Sequence, residues 1–302
     1  MAKKPATHTS YDLFSFGHIS LDIIKTPDEQ HEALGGAILH AAWVSHQLGF
    51  HAGILTKTSK KDKKWLKDLP TPAKDLFWVQ SKATTSILND YKDSSMERRD
   101  TFSQGQADPY KKEDFPPFEA KLVQYSALMQ GEVDLPLLQW LAGKGQLVID
   151  AGMVRKVLPD KTMDSREIPW LKDLFPYISY FKCDAAEASF LTGTDTDEHD
   201  GRVEAANTFL DWGAKEVLES HNQELMAVTK DGLWSAPFKN RNLSGRTGRG
   251  DTAITSYILF RLSMSPEDAV RYAAALTSLK METPGPFKGT RDDVEQYIAE
   301  YY

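Results

Sequence analysis

Segments with strand character alternate with segments of helix character along most of this chain, and that alternation constrains the fold more than any single residue. From Leu122 it reads LVQYSALM, LPLLQWLAG, QLVID, a helical stretch to Phe175, YISYFKC, AAEASFLTG, EAANTFLDWG and KEVLES. Short apolar runs with no polar face belong to strands covered on both sides, and the intervening helices supply the cover. A mostly parallel sheet between two helical layers is expected, with ligands collecting beyond the carboxyl ends of the strands. The opening follows the same rule. Leu13 to Phe16 runs through Gly17 into HISLDII as a first strand. GGAILHAAWVSHQLG is a helix with Ile38, Leu39, Ala42 and Leu48 on one face and a stop at Gly49, and HAGILTK is the next strand.

One pair of segments departs from the alternation. TTSILNDYK and RRDTFS, joined around Asp93-Ser94-Ser95, predict a hairpin with polar faces that cannot bury a core of its own. A small β lid on a larger body follows, drawn from about residues 22–34 and 82–106. At the other end, Ser265-Pro266-Glu267-Asp268 places a cap, a first-turn proline and two acids ahead of AVRYAAALTSLKM. Pro284-Gly285-Pro286 ends that helix and RDDVEQYI forms a last one. With 302 residues, 41% of them hydrophobic, and neither an internal repeat nor a low-complexity linker, residues 1–302 read as one domain.

Charge removes several function classes. A net charge of −7 argues against a nucleic-acid binder with a dense basic face. The basic run Lys57 to Lys67 is a solvated helix face with Trp65 and Leu66 turned inward. The single cysteine, Cys183, allows no intrachain disulfide. MAKKPATHTSYD lacks the apolar core of a secretion signal, and no stretch is long and apolar enough for a membrane span. A cytoplasmic protein is expected.

That expectation bears on Arg249-Gly250-Asp251, which is also a cell-adhesion tripeptide. An adhesion motif needs an exterior, mobile loop, whereas this one runs directly into the apolar helix ITSYILF. The same residues make a phosphate cradle. Gly248 and Gly250 let backbone N–H groups approach a ligand, and a helix starting near Asp251 adds further donors and a positive dipole end. Asp251, kept ionised by that helix end, is placed to take a proton from an attacking alcohol. By itself Gly-x-Gly-Asp is equally a loop ending in a helix cap.

Taken together, GGAILHAAWVSHQLG near the start and TGRGDT near the end, at this separation in an alternating chain, resemble the ribokinase-like carbohydrate kinases, the PfkB family. The resemblance spans nearly the whole chain. It implies a three-layer α/β sandwich with a small β lid, and ATP- and Mg²⁺-dependent phosphorylation of a hydroxyl on a sugar, polyol or nucleoside. It makes Gly248, Arg249 and Gly250 the anion hole and Asp251 the base. It also places Asp22, Gly35, Gly36, His40, Asp150 and Arg155 around the acceptor, Ser220 and Asn222 at the nucleotide, and Glu187 and Asp184 near the metal-bound phosphates.

Several positions depart from the family pattern. His40 replaces an Asn, Asp184 replaces the Asn of Asn-x-x-Glu, and Lys57 to Lys64 stands where Gly-Asp-Asp is usual. Gly245 replaces the acid tied to monovalent-cation binding, and Arg249 a small residue. The Thr-x-Gly-x-x-Gly nucleotide loop reads Ser220-His221-Asn222-Gln223-Glu224-Leu225. That eroded loop motivates an alternative, a non-catalytic sugar- or nucleotide-sensing protein on the same scaffold. An NAD-dependent Rossmann enzyme is weaker, since no Gly-x-G-x-x-Gly follows the first strand. The lid is compatible with pairing to a second copy or with acting as a simple flap.

Overall fold

Strand β1 (Thr9–Phe16) lies inside the molecule because both of its faces are apolar: Leu13 packs to one side, Phe14 and Phe16 to the other. The computed structural model describes residues 9–92 and 99–302, so the turn expected around Asp93-Ser94-Ser95 lies outside the described residues. After Gly17 the chain leaves this sheet, so HISLDII does not prolong β1. Strands β2 (Ser20–Lys25) and β3 (Gln30–Gly35) form a hairpin ahead of α1 (Ala37–Gln47). Next come β4 (Ala52–Thr58), β5 (Leu76–Gln80), β6 (Ser86–Tyr91), β7 (Arg99–Gly105) and β8 (Phe118–Tyr125). The basic run folds as a 3₁₀ turn, Lys60–Asp68, with Leu66 buried.

Helix α2 (Leu135–Ala142) leads into β9 (Gln146–Asp150). The helix expected up to Phe175 is largely absent. A 3₁₀ turn, Ala151–Val154, is followed by the small hairpin β10 (Arg155–Val157) and β11 (Met163–Ser165), then one short helix, α3 (Leu171–Leu174). Pro159 and Pro169 cannot donate the N–H a helix needs, and Lys161 turns the chain with a φ of 71°. The remainder is β12 (Ile178–Asp184), α4 (Ala185–Thr192), α5 (His199–Trp212), β13 (Glu216–Ser220), β14 (Glu224–Thr229), β15 (Gly232–Pro237), α6 (Arg249–Phe260), α7 (Pro266–Met281) and α8 (Arg291–Tyr301).

The main sheet has nine strands in the order β15-β14-β13-β12-β9-β8-β1-β4-β5. Every pair is parallel except β13 with β14 and β14 with β15. Helices α1, α6, α7 and α8 cover one face, and α2 to α5 the other. Successive strand residues alternate between the two cores: Leu122, Val148 and Leu218 pack with α6 and α7, while Val123, Ile149 and Val217 pack with α2 and α5. The expected three-layer arrangement is therefore present. A separate four-stranded sheet, β3-β2-β6-β7, takes in residues from 22–34 and 82–106. Among the described residues, no helix is long and apolar enough to cross a membrane.

Strand register then assembles one end of the sheet. Lys182 pairs with Asp150 across β12 and β9, and Asp184 with Ser220 across β12 and β13. Four polar side chains distant in sequence thus share the carboxyl edge, where α6 begins.

Candidate active site

The turn before α6 is built around Gly248, whose φ of 82° belongs to the left-handed region. A side chain there also has no room. A Cβ would stand 2.1 Å from the His40 ring, which lies directly beneath. At Gly250 a Cβ would stand 2.9 Å from Lys182 Nζ. The sequence Gly-Arg-Gly-Asp therefore seats one glycine on a buried histidine and the other against a buried lysine. Asp251 sits half-buried in the first turn of α6, where the dipole supports a negative charge. His40 hydrogen-bonds through Nδ1 to Thr252 Oγ1 at 3.3 Å. Burial drives its pKa down to about 4, against the opposing pull of Asp251, so it is a neutral ring that props the turn. It still lines the acceptor cavity described next, but its ring faces Gly248.

Gly248→Ala combines a left-handed backbone with a steric clash against His40. The expected loss is about 2 kcal/mol of unfolding free energy, with turnover falling in parallel. Urea denaturation followed by a turnover assay on the folded fraction measures both. Full stability together with full activity contradicts the close packing.

Two cavities meet at this turn, and a third, about 850 Å³ and lined by Asp184, Ser220, His221, Asn222 and Arg249 among others, opens beside the second. The first, about 380 Å³, is lined by Asp22, Gly36, His40, Asn89, Asp150 and Asp251 among others. Gly35 has no side chain because a Cβ would lie 2.3 Å from Asp22 Oδ2, so the carboxylate occupies that space. Asp150 accepts from the Gly152 N–H at 2.7 Å and faces Lys182 at 3.3 Å. Burial nonetheless raises its pKa to about 6. The second cavity, about 350 Å³, is lined by Lys182, Asp184, Ser220, Asn222, Arg246 and Arg249 among others. Arg155, Lys182, Arg246, Thr247, Gly248 and Asp251 border both. The turn thus stands between a chamber rich in carboxylates and one richer in cations.

The cations of the second chamber are held in place. Burial alone would lower the Lys182 ammonium, but Asp150 and Glu187 outweigh it and hold its pKa above the usual lysine range. Arg155 pairs with Glu187 at 2.9 Å. Arg246 and Arg249 both donate to Asn222 Oδ1, at 2.9 and 3.2 Å, and the Arg249 guanidinium lies over the Phe238 ring. The turn between β13 and β14 is short, closed by His221 N–H donating to Glu224 O at 3.0 Å. Leu225, where the family pattern has its second glycine, belongs to the sheet instead, as does Glu224 beside it. Glu224 also pairs with Arg202.

Asp184 and Glu187 cap α4 reciprocally: Asp184 Oδ1 accepts from Glu187 N–H, and Glu187 Oε2 from Asp184 N–H. Glu187 is further committed to Arg155 and Lys182, whereas Asp184 lines the second cavity. Among the described residues, no group of three or more His, Cys, Asp or Glu is placed to hold a metal ion. One carboxylate on a cavity wall nevertheless suits Mg²⁺, which keeps several waters and takes few protein ligands.

The pfkB family carbohydrate kinase model matches residues 11–292. The chain belongs to the pfkB family of carbohydrate kinases. This pfkB chain is a small-molecule kinase that transfers a phosphoryl group to an alcohol. No curated protein matches it in sequence. Among solved structures it is similar to a pyrophosphate-dependent kinase in the ribokinase family complexed with a pyrophosphate analog and myo-inositol. The two are 30% identical, with 94% of this chain and 99% of that one covered and a TM-score of 0.83. A sulfate complex of a pyrophosphate-dependent kinase in the same family is 31% identical over the same shares, with a TM-score of 0.83. The ribokinase of Arabidopsis thaliana, complexed with ribose and ATP, shares the fold at 15% identity, covering 96% of this chain and 99% of that one with a TM-score of 0.76.

Every residue singled out from the pfkB resemblance lies at this end of the sheet or in the contacts supporting it, but sequence reading missed Lys182, Arg246 and Lys280. A lysine ending the apolar run YISYFKC signalled the first. Lys280 continues the inward stripe of Ala273, Leu276 and Thr277 at helical spacing, the second available signal.

Proposed function

We propose that this kinase transfers a phosphoryl group from inorganic pyrophosphate to a hydroxyl of a small polyol, with a cyclic six-carbon polyol such as inositol as the acceptor class. The observation that carries the donor is the second chamber. Lys182, Arg155, Arg246 and Arg249 converge there, and the Asn222-bound arginines roof it where a nucleotide loop would open. The charge of such a chamber suits a compact, multiply charged donor. The pyrophosphate-dependent kinases at 30% and 31% identity support the same reading. The ATP expected from the family pattern rested on a glycine loop whose counterpart here is a tight strand turn. For the acceptor, a chamber of about 380 Å³ with Asp22, Asn89 and Asp150 on its walls is near the small end of ligand sites and offers carboxylates to hydroxyl donors.

In this mechanism Asp22 and Asp150 orient the polyol and Asp251 accepts the proton of the reacting hydroxyl. The acceptor oxygen forms its bond to the near phosphorus as the bridging P–O bond breaks, and inorganic phosphate leaves. Backbone N–H groups at Gly248 to Gly250 face the transferring group, and Lys182 and Arg249 neutralise the leaving phosphate. Asp184 would hold a Mg²⁺ ion, which when bound would supply further neutralisation of phosphate charge. The sheet β3-β2-β6-β7 acts as the lid that excludes water, with Tyr91 Oη against Thr247 Oγ1 at 3.3 Å linking it to the turn.

Polyols are assayed for phosphorylation with magnesium pyrophosphate and with magnesium ATP at equal concentrations. Pyrophosphate is expected to give at least roughly tenfold higher kcat/KM. Equal or better turnover with ATP returns the donor to a nucleotide.

A further inference from the structure

Lys280 is a lysine 1% exposed, in the last turn of α7, and the reaction as described does not use it. Its ammonium donates to two main-chain oxygens, Gly245 O and Thr247 O, in the segment leading into the Gly248 turn. The same segment is laced to the end of α7 by Gly245 N–H donating to Met281 O at 2.8 Å and by Ser244 Oγ donating to Glu282 O at 2.7 Å. Gly245 admits no side chain, since a Cβ would lie 1.8 Å from Thr283 O. No carboxylate can therefore stand at position 245, and both hydrogen bonds of the ammonium go to main-chain carbonyls. Two backbone carbonyls converging on one buried positive charge form the kind of oxygen cage that otherwise collects a free monovalent cation.

We propose that the Lys280 ammonium is a tethered resident cation for the anion-hole turn, gathering the Gly245 and Thr247 carbonyls so that the Gly248–Gly250 amides face the transferring phosphoryl group without any added monovalent ion. The proposal rests on that turn being the anion hole. Lys280 touches neither substrate nor donor, so its role is positioning. The α7 carboxyl terminus favours a cation at this point. Of the charged or titratable groups facing it, Asp251 from α6 favours the charged form and His40 from α1 is neutral. Burial lowers the ammonium to about 8, which leaves it charged at neutral pH.

The test uses the full chain with pyrophosphate and the best polyol acceptor. In buffers of a bulky organic cation, the wild type is expected to turn over at the same rate, within about twofold, whether or not potassium, sodium or ammonium is added. Lys280→Ala is expected to lose roughly tenfold or more in kcat, with acceptor KM little changed. Added ammonium or methylammonium restores several-fold of that loss, because a small cation enters the vacated cage. Lys280→Arg recovers part of it. Several-fold activation of the wild type by potassium or ammonium overturns the proposal and needs no variant. So does a Lys280→Ala protein that melts normally yet keeps its turnover, or loses it beyond rescue by any small cation. Asp251→Asn, run alongside, separates the two ideas: if it stays active the anion-hole assignment itself has failed, and if it is inactive a negative result belongs to Lys280 alone.

Discussion

Asp251→Asn lowers turnover by about a thousandfold while leaving the fold intact. The substitution keeps volume and hydrogen-bonding capacity but removes the ability to hold a proton. The N-cap of α6 is Gly248, and Asp251 makes no capping bond there. The structural loss is confined to a first-turn charge at a helix N-terminus, worth about 0.3–1 kcal/mol. A change that small moves the melting temperature of a chain this size by only a few degrees. Phosphate release and thermal unfolding measured on one preparation test both halves. Turnover within tenfold of the wild type would remove Asp251 from the role of base.

Lys182→Met is expected to have the largest effect on stability, and to weaken pyrophosphate binding as well. The side chain fits the same space, but Asp150 and Glu187 lose the ammonium that lies 3.3 and 3.6 Å from them. Removing one partner of a buried ionic cluster leaves uncompensated charge and costs about 3–5 kcal/mol. The pH dependence follows from Asp150. Burial already raises its carboxyl to about 6, above the ordinary carboxylate range, so its contribution to stability is complete below about pH 4 and is lost as pH rises through about 6. Without Lys182 the pKa rises further, so the deficit of the variant is greatest at neutral pH and narrows on acidification. Denaturant unfolding at pH 5 and pH 7.5 reads the difference. A deficit that is equal at both, or larger at pH 5, contradicts the assignment of Lys182 as counter-ion to the buried acids. Isothermal titration with pyrophosphate then reports the loss of donor affinity.

Much of the fold was legible because alternation is local. Leu13 with Phe14 and Val148 with Ile149 are recognisable as buried strand residues without knowing their neighbours, and Ser265 announces α7 by cap chemistry alone. The stretch from 151 to 175 was not legible. Its apolar residues permit a helix, and only the two prolines and the turn at Lys161 argue otherwise. Residues 220–225 were read as the counterpart of a nucleotide loop, and strands β14 and β15 were not read at all. Their antiparallel pairing depends on a short turn that the pattern of side chains does not announce.

Most of the alternating strands and helices, and the Gly248-Arg249-Gly250-Asp251 turn at the mouth of an apolar helix, were determined by sequence alone, because helix entry, glycine freedom and strand burial are properties of a few consecutive residues. Which charges surround that turn was decided only in three dimensions. Register brings Lys182 beside Asp150, a short hairpin places Asn222 beneath two arginines, and helix packing carries Lys280 to the Gly245 and Thr247 carbonyls. Coulomb interactions and main-chain cages depend on distance through space, and residues 24 to 35 positions apart carry no mark of being neighbours until the sheet and its helices close around them.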